Sequence, residues 1–252
     1  MEIREEVLRV LAGASHVAVL TGAGVSAESG IKTFRDPDGL WAKFNPAELA
    51  SVDGFMANPE LVWSWYKHRK DIVFSSAPNP GHYAIAEMET IFPNFSLITQ
   101  NVDRLHQRAG SGKVYELHGN IIDNHCLDCH KPFEGETTLP DKQLPRCPEC
   151  GGYIRPSVVW FGEMLPAEAI SGAELAARNC DAFLTVGTSA EVFPAASLPY
   201  TAKQSGAFVI EVNPTRTSFS DYADYRMAAP SGEALPKLLN EFKKYMNDKD
   251  RS

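Results

Sequence analysis

No apolar run in this chain approaches the roughly 20 residues a helix needs to cross a bilayer, so a membrane-spanning protein is not expected. Basic charge is in short supply as well. Against 32 Asp and Glu stand only 24 Lys and Arg, a net charge of -8, and the basic residues are scattered, which leaves no electropositive stripe for nucleic acid. The opening MEIREEVLRVLAGAS reads as an acidic amphipathic helix rather than a charged-then-apolar secretion signal, so we expect a cytoplasmic protein. Cysteine is sparse: of five, four fall in two C-x-x-C pairs, which in a reducing compartment favours metal over disulfides. Cys180 is left as a core residue. Internal repeats and low-complexity tracts are lacking, which excludes a solenoid. The acidic charge identifies no partner, and a monomer is expected.

What is present is alternation. Short apolar runs, HVAVLT, FSLITQN, KVYELHG, SVVWFG, DAFLTVGTS and AFVIEVN, are separated by segments of helical spacing such as PGHYAIAEMETI, PAEAISGAELAARN, PAASLPYTAKQSG and SGEALPKLLNEFKKYM. The runs are too apolar to keep one wet face. They predict an α/β protein, a Rossmann-like parallel sheet with helices on both faces, with ligands at the strands' carboxyl ends. Two stretches interrupt the pattern: helical spacing without a strand over residues 41–76, and a Pro- and Gly-rich, weakly periodic insertion over 120–155. The expected organisation is therefore a nucleotide-binding domain of residues 1–40, 77–119 and 156–252, with a small helical and zinc-ribbon part.

Cys126, Cys129, Cys147 and Cys150 form two C-x-x-C knuckles seventeen residues apart, the spacing of a four-thiolate zinc ribbon. Four thiolates leave no open position for water, so one structural zinc per chain is expected; the competing reading is a pair of redox dithiols. Gly22-Ala23-Gly24-Val-Ser-Ala27 follows a strand and matches G-x-G-x-x-A, a turn whose bare backbone lets a pyrophosphate approach amide N–H groups. Such a turn can equally be packing. The ribose-binding acid expected about twenty residues on is missing, which argues against a hydride-transferring dehydrogenase. Gln100, Asn101 and Asp103, then Gly187, Thr188 and Ser189, then Asn213 also lie at strand carboxyl ends. Each alone is an ordinary turn residue; together they point to one crevice.

In this order, GAGVSAESGI, TFRDPDGLW, TQNVDRLH, ELHGN, the paired C-x-x-C, VVWFGE, GTSAEVFPA and EVNP resemble the sirtuins over residues 16–232. The resemblance implies an NAD-consuming lysine deacylase with NAD as co-substrate. It implies that Gly22, Ala23 and Gly24 line the pyrophosphate, and that Ala27, Phe34, Arg35 and Trp41 border the nicotinamide and its ribose. Gln100 falls nearby, and Asn101 and Asp103 hold the nicotinamide amide and adjacent ribose. Gly187, Thr188 and Ser189 take the phosphate and adenosine ribose, Asn213 the adenosine side, and Ser231 a backbone contact. Catalysis is implied for His118, as general base, and Asn101; without the resemblance His118 would read as a histidine closing the strand KVYEL. Val158 to Glu163, including Val159, Phe161 and Gly162, resembles the segment that pairs with an acylated-lysine peptide by strand addition. One departure is Lys32, where the family usually has proline, which frees a φ angle and implies a looser loop and weaker NAD binding.

Tyr66 and Arg69 stand three apart on one helical face and resemble the family branch that removes succinyl and malonyl groups. A guanidinium and a phenol can hold an acyl carboxylate; a solvated face or a salt bridge is the alternative. Desuccinylation or demalonylation, with deacetylation alongside, is the activity this implies. Mono-ADP-ribosyl transfer and a non-enzymatic zinc-ribbon binding module are the other function classes the sequence admits. His16, His82, His106 and His125 receive no role.

Overall fold

Residues 2–33, 46–135, 137 and 144–249 are described in the computed structural model. Six strands form one sheet: β1 (His16–Thr21), β2 (Asn94–Thr99), β3 (Val114–Glu116), β7 (Ala182–Val186), β8 (Phe208–Val212) and β9 (Tyr225–Met227), in the order β3-β2-β1-β7-β8-β9. Every pairing is parallel. The pleat explains the apolar runs. In β1, Val17 and Val19 join a core with α1 (Glu5–Gly13), α6 (Pro80–Ile91) and α10 (Ser231–Lys249), whereas Ala18 and Leu20 join the opposite core with α8 (Ala167–Asn179) and α9 (Leu198–Gln204). Strand order reverses between β1 and β7, where an open α/β sheet leaves its crevice. A five-residue helix, α2 (Ala23–Ala27), follows β1.

A second sheet, β5-β4-β6, is antiparallel and built from β4 (Gly119–Cys126), β5 (Pro132–Phe133) and β6 (Ile154–Val158). It corrects two expectations. SVVWFG is not a strand of the large sheet: the ladder ends at Val158, and the chain then turns through Gly162 at φ +88°. Strand β4, in a stretch of weak periodicity, was not expected at all. Its two faces meet different neighbours, so no clean alternation marks it.

Three helices, α3 (Pro46–Leu49), α4 (Val52–Ala57) and α5 (Pro59–Ser75), pack on that small sheet. Leu49, Phe55, Val62, Trp63, Tyr66 and Val73 share one core with Ile121, Ile154, Val158 and Trp160, so two segments distant in sequence make one unit. Asn58 caps α5 by accepting from the Leu61 N–H, with Pro59 beside it at the first helical position. Lys70 ties α5 to β4 by donating to Asn124 Oδ1 at 2.8 Å. The short α7 (Leu105–Arg108) follows β2. Among the described residues no helix is long and apolar enough to cross a membrane.

His82 and His106 are fully buried with ring centroids 4.8 Å apart. His82 Nδ1 accepts from the Asn79 N–H in a capping box that opens α6, and His106 Nε2 meets Thr21 Oγ1 at 2.9 Å. Their other ring nitrogens have no partner among the described residues. Burial pushes His82 down to about 4, and burial with His82 alongside pushes His106 to about 3, from an ordinary 6.5. Between those values the unfolded chain binds more protons than the folded one. Stability from the neutral pair is complete above pH 6.5 and is lost as pH falls toward the folded values. A loss of about 2 kcal/mol for each histidine, about 4 kcal/mol for the pair, between about pH 7 and about pH 5 is expected from urea midpoints; equal midpoints would show that the pair titrates normally.

Candidate functional site

At the switch point, the loops leaving β1 and β7 touch backbone to backbone. Gly22 N–H donates to the Val186 carbonyl at 3.0 Å and Gly24 N–H to the Gly187 carbonyl at 2.8 Å. A Cβ on Gly22 would lie 2.8 Å from the Gly187 oxygen and from Thr188 Cβ, and one on Gly24 2.8 Å from Gly187 Cα. Gly187 itself sits at φ +60°, where a side chain is strained. The glycines are thus needed for the loops to meet. The amides of Gly22 and Gly24 are used within the fold, which is the packing role the turn also allowed. The crevice floor is bare backbone with Ala23 half-buried between, and its polar side chains come from neighbouring strand ends, a surface that suits a phosphate-bearing dinucleotide.

Those strand ends are bonded to one another. Gln100 Nε2 donates to Thr188 Oγ1 at 2.9 Å, and Asn213 Nδ2 donates to the Thr188 carbonyl at 3.0 Å. Ser189 accepts at its carbonyl from Ser218 Oγ. Asn101 Nδ2 donates to the Gly22 carbonyl at 3.0 Å and to Ser26 Oγ at 3.2 Å. Ser26 in turn donates to Asp103 Oδ2 at 2.7 Å, while Asp103 Oδ1 accepts from the Leu105 N–H. Burial raises the Asp103 carboxyl above its ordinary value despite those bonds and the nearby Arg69 and Arg108. Ala27 is exposed on the same loop. Ser231, at the start of α10, donates to Glu28 Oε2. Ser26 and Glu28 were missed from sequence; the spacing within GAGVSAES marks the turn but says nothing of which hydroxyl meets Asp103. Phe34, Arg35 and Trp41 lie outside the described residues.

His118 follows β3 and stands half-buried between the two sheets. Its Nδ1 lies 3.0 Å from the Gln100 carbonyl oxygen. A carbonyl can only accept, so Nδ1 carries the proton and Nε2 is left as the lone-pair nitrogen of the neutral ring. Burial holds its pKa below the ordinary 6.5, opposed by that hydrogen bond. The next residue, Gly119 at φ +66°, has no room for a Cβ, which would fall 2.1 Å from the Ser157 carbonyl.

Tyr66 is fully buried, and its hydroxyl accepts from Trp160 Nε1 at 2.7 Å. Burial raises its pKa, so it stays a neutral phenol. Arg69, on the same face of α5, stacks over Trp65 at 4.7 Å and lies 6.0 Å from the Tyr66 ring centroid. Burial lowers its pKa while Tyr66 and Asp103 oppose the shift. The segment after β6 is internally committed. Val159 N–H donates to the His118 carbonyl, Phe161 N–H to Ala50, and Glu163 N–H to Trp160. The Glu163 carboxylate grips Arg155 through both oxygens and accepts the Trp160 N–H at 2.7 Å. It therefore faces the fold. Burial alone would raise its pKa; Arg155 and the Trp160 amide hold it low. Phe161 is exposed.

The four cysteine sulfurs lie within 4.8 Å of one another, with Cys126 to Cys150 at 3.4 Å and Cys129 to Cys147 at 3.7 Å. A tetrahedron of about 2.3 Å zinc–sulfur bonds has edges of about 3.8 Å. The donor set fits one zinc ion with no position open to substrate, which makes the metal structural.

Residues 22–194 match the family model described as Sir2 family. The chain is 51% identical over 226 residues to an NAD-dependent protein deacylase of Aquifex aeolicus, covering 89% of this chain and 94% of that protein. It is 46% identical over 252 residues to NAD-dependent protein deacylase 2 of Archaeoglobus fulgidus, covering 98% and 99%. Among solved structures, a Sir2 homologue in complex with NAD superposes with a TM-score of 0.90 at 45% identity, over 97% of this chain and 95% of that one. Sir2Af2 bound to a myristoylated histone peptide superposes at 0.78 with 40% identity, over 96% and 97%.

Metal analysis of the purified protein is expected to give one zinc per chain. Stripping it with a strong chelator, or the Cys147→Ser substitution, is expected to melt the small unit first, because Cys126 and Cys147 belong to its core. A metal-free protein with an unchanged thermal transition would refute the assignment.

Proposed function

The chain belongs to the Sir2 family, and from that premise we propose that it is an NAD-dependent protein lysine deacylase preferring acyl groups that end in a carboxylate. The observation that carries the enzymatic reading is the His118 tautomer: Nδ1–H is committed to the Gln100 carbonyl, which leaves Nε2 to accept a proton in the crevice where the strand ends converge. NAD supplies a ribose carbon activated by a cationic nicotinamide leaving group. Around it, the loops at Gly22–Gly24 and Gly187–Ser189 would take the pyrophosphate and adenosine ribose, with Ala23 contributing backbone, and Asn213 and Ser231 would bound the adenosine side. Asn101 and Asp103 would orient the nicotinamide end, held in place by Ser26. The main task of these groups is alignment, because an amide oxygen is a weak nucleophile and reacts only when held in line. His118 Nε2 then takes the proton of a ribose hydroxyl. That hydroxyl would attack the acyl carbon, the lysine amine would leave as its C–N bond breaks, and one water would complete the release, so that acyl-lysine, NAD and water give nicotinamide, free lysine and O-acyl-ADP-ribose.

A peptide would lie along residues 158–163. Since the Val159, Trp160, Phe161 and Glu163 amides are bonded internally, main-chain pairing would draw on carbonyls and on the Gly162 N–H. The solved complex of a relative with an acylated histone peptide supports acyl-lysine peptides as substrates. The carboxylate preference rests on Tyr66 and Arg69: a buried neutral phenol beside a guanidinium forms a charge-assisted pair for an acyl carboxylate, and an acetyl group would use neither.

Replacing His118 with Ala is expected to cut nicotinamide release and peptide deacylation by at least about 10²-fold while zinc content stays at one per chain. In the wild type, His118 must be neutral, so kcat/KM is full above its pKa and falls as pH drops through it. The acid limb of the profile should therefore lie below 6.5. Substantial turnover by His118→Ala would remove it from this role. The Arg69→Met variant is expected to lower the succinyl-to-acetyl ratio of kcat/KM by about 10- to 100-fold; an unchanged ratio would refute the carboxylate preference.

A further inference from the structure

Trp160 is almost wholly enclosed. Phe55 lies 5.3 Å from its ring centroid, and the Arg155 guanidinium stacks 3.3 Å from that centroid. Arg155 is itself fixed by the Glu163 carboxylate and by the Val158 carbonyl, to which Nη2 donates at 2.6 Å. The Trp160 amide donates to the same carboxylate. Both the backbone and the indole of this residue are therefore immobilised by the segment along which peptide is proposed to lie. The indole N–H then reaches across to α5 and donates to the Tyr66 hydroxyl oxygen at 2.7 Å.

The direction of that bond has a consequence for the phenol. An indole nitrogen can only donate, so Tyr66 must be the acceptor. Conjugation keeps a phenolic proton near the ring plane, with two opposed orientations. The indole N–H points at the oxygen from one side, so the hydroxyl proton must point away from the indole. Tyr66 is left as an oriented donor whose own proton has no acceptor among the described residues, and a buried donor without a partner costs free energy until one arrives.

We propose that Trp160 is a positioning residue for acyl selection. Its indole N–H sets the Tyr66 hydroxyl as a donor toward the acyl carboxylate, and the Arg155–Glu163 pair couples that orientation to the peptide segment. The proposal rests on the carboxylate preference argued above. It predicts that the aromatic ring supports the fold, while the single N–H tunes discrimination between acyl groups.

The test is Trp160→Phe, which keeps an aromatic ring and removes the N–H, assayed on succinyl- and acetyl-lysine peptides. The succinyl-to-acetyl ratio of kcat/KM is expected to fall about three- to tenfold, the range for one neutral hydrogen bond, with the change carried in KM for the succinyl peptide. In a Tyr66→Phe background the same substitution is expected to leave the ratio unchanged, because no hydroxyl remains to be oriented. Equal losses on both peptides, or an effect that persists without the hydroxyl, would overturn the proposal and leave Trp160 as packing. A ratio that responds to Arg69→Met but not to Trp160→Phe overturns only the role of Trp160. A ratio that responds to neither overturns the carboxylate reading and this proposal with it. Should Trp160→Phe fail to fold, the indole N–H resonance of Trp160 in the wild-type protein decides. It is expected to shift with succinyl-lysine peptide and much less with acetyl-lysine peptide, and identical responses to the two would refute the proposal.

Discussion

The contact on which the rest depends is the meeting of two backbones at the sheet's switch point. Gly22 and Gly24 lie against Gly187 and Thr188 with no space for a single added carbon. Parallel strands fan outward from such a point, and only bare backbone lets the two loops close over the ends of β1 and β7. Once they do, the Gly22 carbonyl becomes an acceptor for Asn101 and the Thr188 hydroxyl an acceptor for Gln100. The polar strand ends are therefore organised by loop contact, and they hold each other through hydrogen bonds within the fold. Pre-organisation of this kind is what a reaction limited by alignment requires.

The small unit solves a different problem. Neither its helices nor its three-stranded sheet has enough apolar surface to stand alone. They share a core built around Phe55, Trp63, Tyr66 and Trp160, and the four thiolates tether the far end of the sheet. Tyr66 and Arg69 thus have their positions set from both sides, by the helix that carries them and by the aromatic wall they lean on.

Much of this was legible in the sequence, for reasons that differ by region. The large sheet announces itself because both faces of each central strand are buried, so HVAVLT or AFVIEV is apolar without interruption. The cysteine spacing carries its own geometry. Strand β4 hid because its burial follows no two-residue alternation, with Asn120 and Ile121 buried in succession, and the run SVVWFG misled because only Val158 and Trp160 enter the small core while Phe161 is exposed and the backbone turns away at Gly162. The glycine turn was found, and its packing and ligand readings could not be separated because both needs select the same residues. Nothing in the one-dimensional pattern says that Glu163 turns inward to Arg155, because the turn at Gly162 that folds it back has no periodic signal, or that Ser26 bridges Asn101 and Asp103, because that contact joins segments far apart in the chain.

His118 occupies a crossing between the two sheets. Just before it, Leu117 N–H is bonded to Thr99 of the large sheet; its own carbonyl accepts from Val159 of the small unit, and its ring is anchored on Gln100. The imidazole is thus moored to the large sheet while its backbone carbonyl is held by the small unit, so the residue proposed to move a proton is positioned by both walls of the cleft at once.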